Sequence, residues 1–201
     1  MRTTKISNGV NPIITISGTP GSGKSTVAKN LLKKYKAERV YVGGLWREIA
    51  TEKNMTLEEL NEYVINHPKA DIEMDKRASK KARELAKKSM VIVEGRTQFI
   101  FLPESIKLFI KADINETAKR VWQQLKNDKH KERQNESHIK SLEEMITKQK
   151  HRKAQDIKRY KKVYKIDYTD EKNYDFVLDT TKLSIDQAAQ KVADFINKTV
   201  K

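Results

Sequence analysis

Ile13-Ile14-Thr15-Ile16-Ser17-Gly18-Thr19-Pro20-Gly21-Ser22-Gly23-Lys24-Ser25-Thr26 is the stretch on which the reading of this 201-residue chain turns. A β-branched run leads straight into Gly18-x-x-x-x-Gly23-Lys24-Ser25, and Val27, Leu31 and Leu32 fall on one side of a helix over Lys24 to Tyr35. Strand, glycine-rich loop and helix start, in that order, make the pattern a P-loop rather than a chance turn. Glycines let successive backbone N–H groups turn inward as an anion nest, and the helix start adds the positive end of its dipole. Gly18, Thr19, Pro20, Gly21, Ser22, Gly23, Lys24, Ser25 and Thr26 are therefore the expected cradle for a nucleoside triphosphate, ATP. Lys24 is expected to reach the β- and γ-phosphates, with the Ser25 hydroxyl on Mg²⁺.

Length fits one domain with one or two mobile insertions. Hydrophobic residues make up 37 % and charged residues 34 %, so the helices should carry wide solvated faces. The absence of cysteine excludes disulfides, thiolate metal sites and thiol catalysis. No apolar run approaches the length of a membrane span, and the polar start Met1 to Asn11 lacks the hydrophobic stretch of a secretory signal. A soluble, cytoplasmic monomer is the expectation. The net charge of +15 raises the question of nucleic acid, but residues 126–165 hold fourteen Lys/Arg against six Asp/Glu, more than half of the excess. A basic cluster confined to one helical segment suits a triphosphate-binding lid. Its aromatics, Tyr160 and Tyr164, stand together at its end and give no base-stacking platform, so nucleic acid is not the expected partner.

Strand-like runs recur at Ile13 to Ser17, Arg39 to Val42, Met90 to Val93, Ile106 to Ile110 and Tyr174 to Leu178. Helical patterns separate them: a helix after a flexible Gly43-Gly44 turn, one opened by the capping box Thr56 to Glu59, and a long charged one from Asp71 to Lys88. A helix capped at Asp113, a long basic helix to about Tyr164 and a terminal helix opened by Ser184 to Gln187 complete the set. The alternation predicts an α/β fold with a five-stranded parallel sheet flanked by helices. Ligands of such sheets sit beyond the strand C-termini, where Gly18 to Ser25, Gly43 to Arg47 and Glu94 to Gln98 fall. Glu94 stands where triphosphate switches and motors usually carry a magnesium-holding Asp, so Ser25 and Glu94 are the expected metal residues. Arg47 and Arg96 beside this region suit a second anionic ligand. Arg152, Asp156 and Arg159, spaced four and three apart, share one helix face; that spacing alone also fits an ordinary solvated ladder. Asp71 and Asp75 read as a solvated face or helix partners, Trp46 and Trp122 as core, and the four histidines as surface.

With these residues in place the chain resembles the nucleoside monophosphate kinases, and among them the short, archaeal-type cytidylate kinases. The resemblance spans nearly the whole chain. It rests on the P-loop stretch at 14–26, Gly43-x-x-Trp46-Arg47-Glu48-Ile49-Ala50, Asp71-x-x-x-Asp75 and Val93-Glu94-Gly95-Arg96. It continues through Arg152/Asp156/Arg159, Arg159-Tyr160-x-x-x-Tyr164-x-Ile166-Asp167, and Tyr174-Asp175-x-Val177-Leu178-Asp179-Thr180. It implies a P-loop kinase fold with a core over 12–44, 88–126 and 160–201, a mobile monophosphate-binding insertion at about 45–87, and a lid with the basic helix at about 127–159. It implies transfer of the γ-phosphoryl of ATP to a nucleotide acceptor, CMP or dCMP first; a P-loop kinase for UMP, AMP or a non-nucleotide acceptor, or an RNA-coupled nucleotide-binding protein, are the alternative readings. Lys24, Arg120, Arg152 and Arg159 would bear the migrating charge; Gly43, Arg47, Arg96, Asp156 and Arg159 would meet the acceptor. The chain departs from the family where Tyr41, Val42 and Gly44 flank the glycine before Arg47, at Thr97, and at Thr117. These positions surround the acceptor base and sugar, so phosphoryl transfer is better marked than the base.

Overall fold

The structure, a computed structural model, describes residues 11–126 and 139–200. The start before Asn11 and the polar front of the expected lid, 127–138, lie outside the described residues. Strands β1 (Ile13–Gly18), β2 (Glu38–Tyr41), β3 (Val91–Glu94), β4 (Ile106–Lys111) and β5 (Phe176–Asp179) form one sheet in the order β2-β3-β1-β4-β5. All neighbouring pairs are parallel, as the alternation predicts. Helices α1 (Lys24–Tyr35), α2 (Val42–Glu52), α3 (Leu57–Asn66), α4 (Pro68–Ala86), α5 (Gln98–Phe101), α6 (Ile114–Lys126), α7 (Leu142–Tyr164) and α8 (Ile185–Thr199) make the connections and the C-terminal cover.

The two-residue period of the strands divides the core. Ile14, Ile16, Ile92, Leu108, Ile110 and Leu178 face α1 and α8. Ile13, Val40, Val91 and Val93 face the alanine stripe Ala78, Ala82 and Ala86 of α4. A third cluster joins Phe99 and Phe109 to Tyr160 at the end of α7 and to Tyr168. Two satellites lie away from the sheet: Ala50 of α2 with Leu60 and Val64 of α3, and Ala118 and Val121 of α6 with Met145 of α7. Trp46 and Trp122 are half-buried against these clusters.

Both capping boxes form, at Thr56/Glu59 and Ser184/Gln187, and Asp113 accepts from the N–H groups of Asn115 and Glu116 at the start of α6. Helix α4 starts at Pro68, three residues before the expected Asp71, because proline suits the first helical position. The Gly43-Gly44 pair is no turn: it lies in the first turn of α2. Its smallness serves packing, since a Cβ on Gly44 would come within 2.7 Å of the Tyr41 ring and one on Gly43 within 3.0 Å.

The strand-to-loop junction of β1 is the tightest point. A Cβ at Gly18 would lie 2.3 Å from the carbonyl oxygen of Ile110 in β4, the same oxygen that accepts from Thr19 N–H at 3.1 Å. Gly18→Ala must push two core strands apart and is expected to cost about 2–3 kcal/mol, at the upper range for overpacking. Urea unfolding measures it, and a midpoint equal to wild type would contradict the packing described.

Candidate active site

The loop Gly18 to Thr26 wraps the N-terminus of α1, with Gly21 at φ +75° and Gly23, the N-cap, at φ +86°. Those left-handed conformations turn backbone N–H groups into a shared hollow. All nine loop residues line one cavity of about 510 Å³. The side-chain oxygens of Thr19 and Ser22 are buried with no hydrogen-bond partner among the described residues, which suits a site completed by a polar ligand.

The end of β3 faces this hollow. Glu94 pairs in register with Ile16 of β1 and Tyr41 of β2, and its carboxylate has no solvent exposure. Oε1 accepts from Lys24 Nζ at 2.7 Å and from the Ser25 hydroxyl; Oε2 accepts from Arg39 Nη2 at 2.5 Å. Burial opposes its charge, but Lys24, Arg39 and Ser25 together hold it down to about 2. Burial also lowers the Lys24 pKa, against the pull of Glu94. Ser25 and Glu94 thus present an oxygen-only donor pair with one carboxylate, the chemistry of a magnesium site filled out by phosphate and water.

On the other side of the cavity stand Tyr41, Gly43 and Arg47 from β2 and α2, Gly95 and Arg96 from the loop after β3, and Gln149 and Arg152 from α7. Arg47 donates to the Tyr41 hydroxyl at 2.6 Å and to the Gly43 carbonyl at 3.3 Å. Arg96 pairs with Asp156 at 3.1 Å. Asp156 lies 3.9 Å from Arg159, and Arg159 3.5 Å from Asp71. A row of alternating charge, Asp71–Arg159–Asp156–Arg96, therefore runs from α4 across α7 to the cavity, and of the four only Arg96 lines its wall. Asp156 and Arg159 stand one or two ion pairs behind. Arg120 lines the wall from α6, with its guanidinium on Glu116, on the Thr180 hydroxyl and on the carbonyls of Thr180 and Thr181. It ties α6 to the loop after β5.

A family model described as an AAA domain matches residues 14–141. The chain is 35 % identical over 189 residues to the cytidylate kinase of Methanopyrus kandleri, covering 89 % of each. It is 34 % identical to that of Methanocaldococcus jannaschii, covering 94 % of this chain and 99 % of the relative. The chain belongs to the cytidylate kinase family. Among solved structures, a shikimate kinase from Bacteroides thetaiotaomicron superposes with a TM-score of 0.57 at 15 % identity over 92 % of this chain and 98 % of that one. A thymidylate kinase from Candida albicans does so with 0.52 at 16 % over 96 % and 94 %. At such identities they speak to the fold, the P-loop kinase fold.

In this member of the cytidylate kinase family, Asp71 and Asp75 are not a solvated face; both are buried. They fall on the stripe Asp71, Met74, Asp75, Ala78, Ser79, Ala82 that α4 turns inward, a helical spacing visible in the sequence once the carboxylates are allowed on it. Asp75 accepts from Thr97 Oγ1, Gln98 Nε2 and Tyr164 OH, each at 2.6 Å. The family departure at Thr97 is thus used to hold α4. Gln149, which the sequence does not single out, shares the helix face of Arg152, Asp156 and Arg159; it is buried and its Oε1 has no partner among the described residues. Arg39 left no signal beyond its spacing of two from Tyr41, which puts both on one face of β2. His67 and His151 are exposed, and no cluster of metal-binding side chains occurs among the described residues.

Burial raises the Asp71 carboxyl to about 6, against the pull of Arg159 and with help from Asp75 and Asp156. Folding therefore favours the protonated form, and the stability present below its ordinary 3.8 is lost as pH rises through 6. Glu94 works the other way: its contribution is lost as pH falls from 4.5 toward 2. Between pH 4 and pH 7, Asp71→Asn is expected to gain roughly 2–3 kcal/mol on wild type in urea titrations. Parallel pH profiles would contradict the assignment.

Proposed function

We propose that the chain phosphorylates CMP, and dCMP with it, at the expense of ATP, both nucleotides occupying the one cavity. The observation that carries this is the continuity of that cavity: the P-loop forms one flank, and Tyr41, Arg47 and Arg96 form the other. Past the P-loop it extends to Leu183, Ile185 and Ala188, an apolar wall suited to the flat donor base. Ile185 is 58 % exposed although large and apolar, which fits a surface awaiting a ligand.

The loop N–H groups and Lys24 hold the donor phosphates; Arg47, Arg96 and Arg152 hold the acceptor phosphate and the charge between the two. Asp156 and Arg159 position Arg96 from behind, and Arg120 keeps the loop after β5 against the donor. Ser25 and Glu94 would hold Mg²⁺, which supplies charge neutralisation on the phosphates. An acceptor phosphate oxygen, already anionic, attacks the γ-phosphorus in line and ADP departs, so no strong general base is needed. Positioning and neutralisation by the cationic wall do the catalytic work. The insertion at about 45–87 and the basic helix of the lid, within 139–159, close over the pair and exclude water, which suppresses hydrolysis. The protein acts as a cytoplasmic monomer on small-molecule nucleotides; no helix among the described residues is long and apolar enough to cross a membrane.

An ADP-release assay over CMP, dCMP, UMP, AMP and dTMP tests the reading: CMP and dCMP are expected to be turned over best, and turnover confined to another acceptor would overturn it. Lys24→Ala should lower kcat by at least about 10²-fold, the scale of losing one charge-stabilising donor; a near wild-type rate refutes its role. Arg47→Ala should raise the acceptor KM by about 10–100-fold, the worth of a charge-assisted contact, with little change for ATP. Equal losses on both substrates would count against that placement.

A further inference from the structure

Arg39 does not line the cavity, yet it touches both groups that organise it. Its Nη2 donates to Glu94 Oε2 at 2.5 Å, and its Cζ lies 4.1 Å from the centroid of the Tyr41 ring. The same ring carries a second arginine: the Tyr41 hydroxyl accepts from Arg47 Nη1 at 2.6 Å. One tyrosine thus holds two guanidiniums, one turned toward the P-loop flank and one toward the opposite flank. The ring itself is boxed in, since a Cβ on Gly44 or Gly43 would meet it at 2.7 or 3.0 Å. A chain of direct contacts therefore runs Lys24–Glu94–Arg39–Tyr41–Arg47.

We propose that Arg39 and Tyr41 are positioning residues that couple the two nucleotide sites: Arg39 anchors Glu94 so that Lys24 can leave it for the triphosphate, and Tyr41, stacked on Arg39, aims Arg47 at the acceptor phosphate. This rests on the two-nucleotide reading of the cavity. A buried carboxylate is costly without a cation beside it. Glu94 has two, and one of them is the P-loop lysine. With Arg39 in place, Lys24 can move and a full counter-charge remains. Without it, Lys24 is the sole cationic side chain on Glu94, and only a metal on Glu94 could replace its charge there when it turns to phosphate. Stacking of a guanidinium on a tyrosine face fixes its plane, so the orientation of Arg39 and the seat of Arg47 depend on one ring.

Calorimetric titration of CMP and of a non-hydrolysable ATP analogue, with magnesium, tests the proposal, alongside unfolding temperature and steady-state kinetics. Tyr41→Phe keeps the ring and its stacking but removes the acceptor oxygen; it should weaken CMP about tenfold, the worth of one hydrogen bond to a charged group, and leave the ATP analogue unchanged. Arg39→Met, which removes a group outside the cavity wall, should weaken the ATP analogue about tenfold, and Arg39→Lys should restore most of that loss. Arg39→Met should also weaken CMP when Tyr41 is present but add nothing in the Tyr41→Phe background. A Tyr41→Phe protein with wild-type CMP affinity overturns the proposal. So do Arg39→Met losses that merely follow the unfolding temperature and are not restored by lysine. Wild-type protein that phosphorylates no monophosphate sinks the kinase reading and the coupling together. Wild type that does, beside silent variants, sinks the coupling alone.

Discussion

A carboxylate with no solvent exposure stands at the C-terminal edge of the sheet, and the geometry of the cavity follows from how Glu94 is neutralised. Removing a carboxylate from water costs several kcal/mol unless cations and donors replace the lost hydration. Lys24, Ser25 and Arg39 do so from the P-loop helix and the edge strand, each arriving on the face of the sheet that the parallel register gives to Glu94. The same register explains why Tyr41, level with Glu94 on the next strand, ends up on the opposite flank of the cavity. One buried charge thus draws three segments, distant in sequence, to a point where phosphate and metal chemistry is feasible.

Behind the cavity a second electrostatic arrangement does a different task. The row Asp71–Arg159–Asp156–Arg96 and the triply bonded Asp75 join α4, α7 and the loop after β3 through groups that are mostly buried. Asp71 and Asp75 are both pushed up by burial first of all. Such networks are weak as stabilisers and strong as specifiers of geometry, because breaking one member leaves another charge buried without its partner. Here the geometry specified is the approach of the basic helix to the sheet, and with it the setting of Arg96 and Arg152.

The fold was readable because strand and helix periods alternate cleanly along the chain, and because the P-loop fixes direction as well as order. Ile13 to Ser17, Val91 to Val93 and Ile106 to Ile110 carry apolar residues on both faces, as strands covered on two sides must. The cationic wall was readable in part: Arg47, Arg96 and Arg152 follow strand ends or share a helix face. The misreadings have a common cause. Gly43-Gly44 looked like a turn because glycine's usual role is conformational, whereas here it makes room for the Tyr41 ring. Asp71 and Asp75 looked solvated because the arginine and tyrosine that receive them lie some ninety residues later, on a helix whose docking no local pattern reveals. Arg39 is silent in the sequence for the same reason: its partner Glu94 is fixed by strand order, which a single strand does not disclose.

A crystal structure with a bisubstrate mimic, cytidine and adenosine joined through a polyphosphate, tests the account most directly. The account predicts Lys24 withdrawn from Glu94 and on the phosphates, Arg39 still on Glu94, and Arg47 and Arg96 on the cytidine-side phosphate. A mimic bound with Lys24 still on Glu94, or with Arg47 and Arg96 turned away from the second nucleotide, would contradict it.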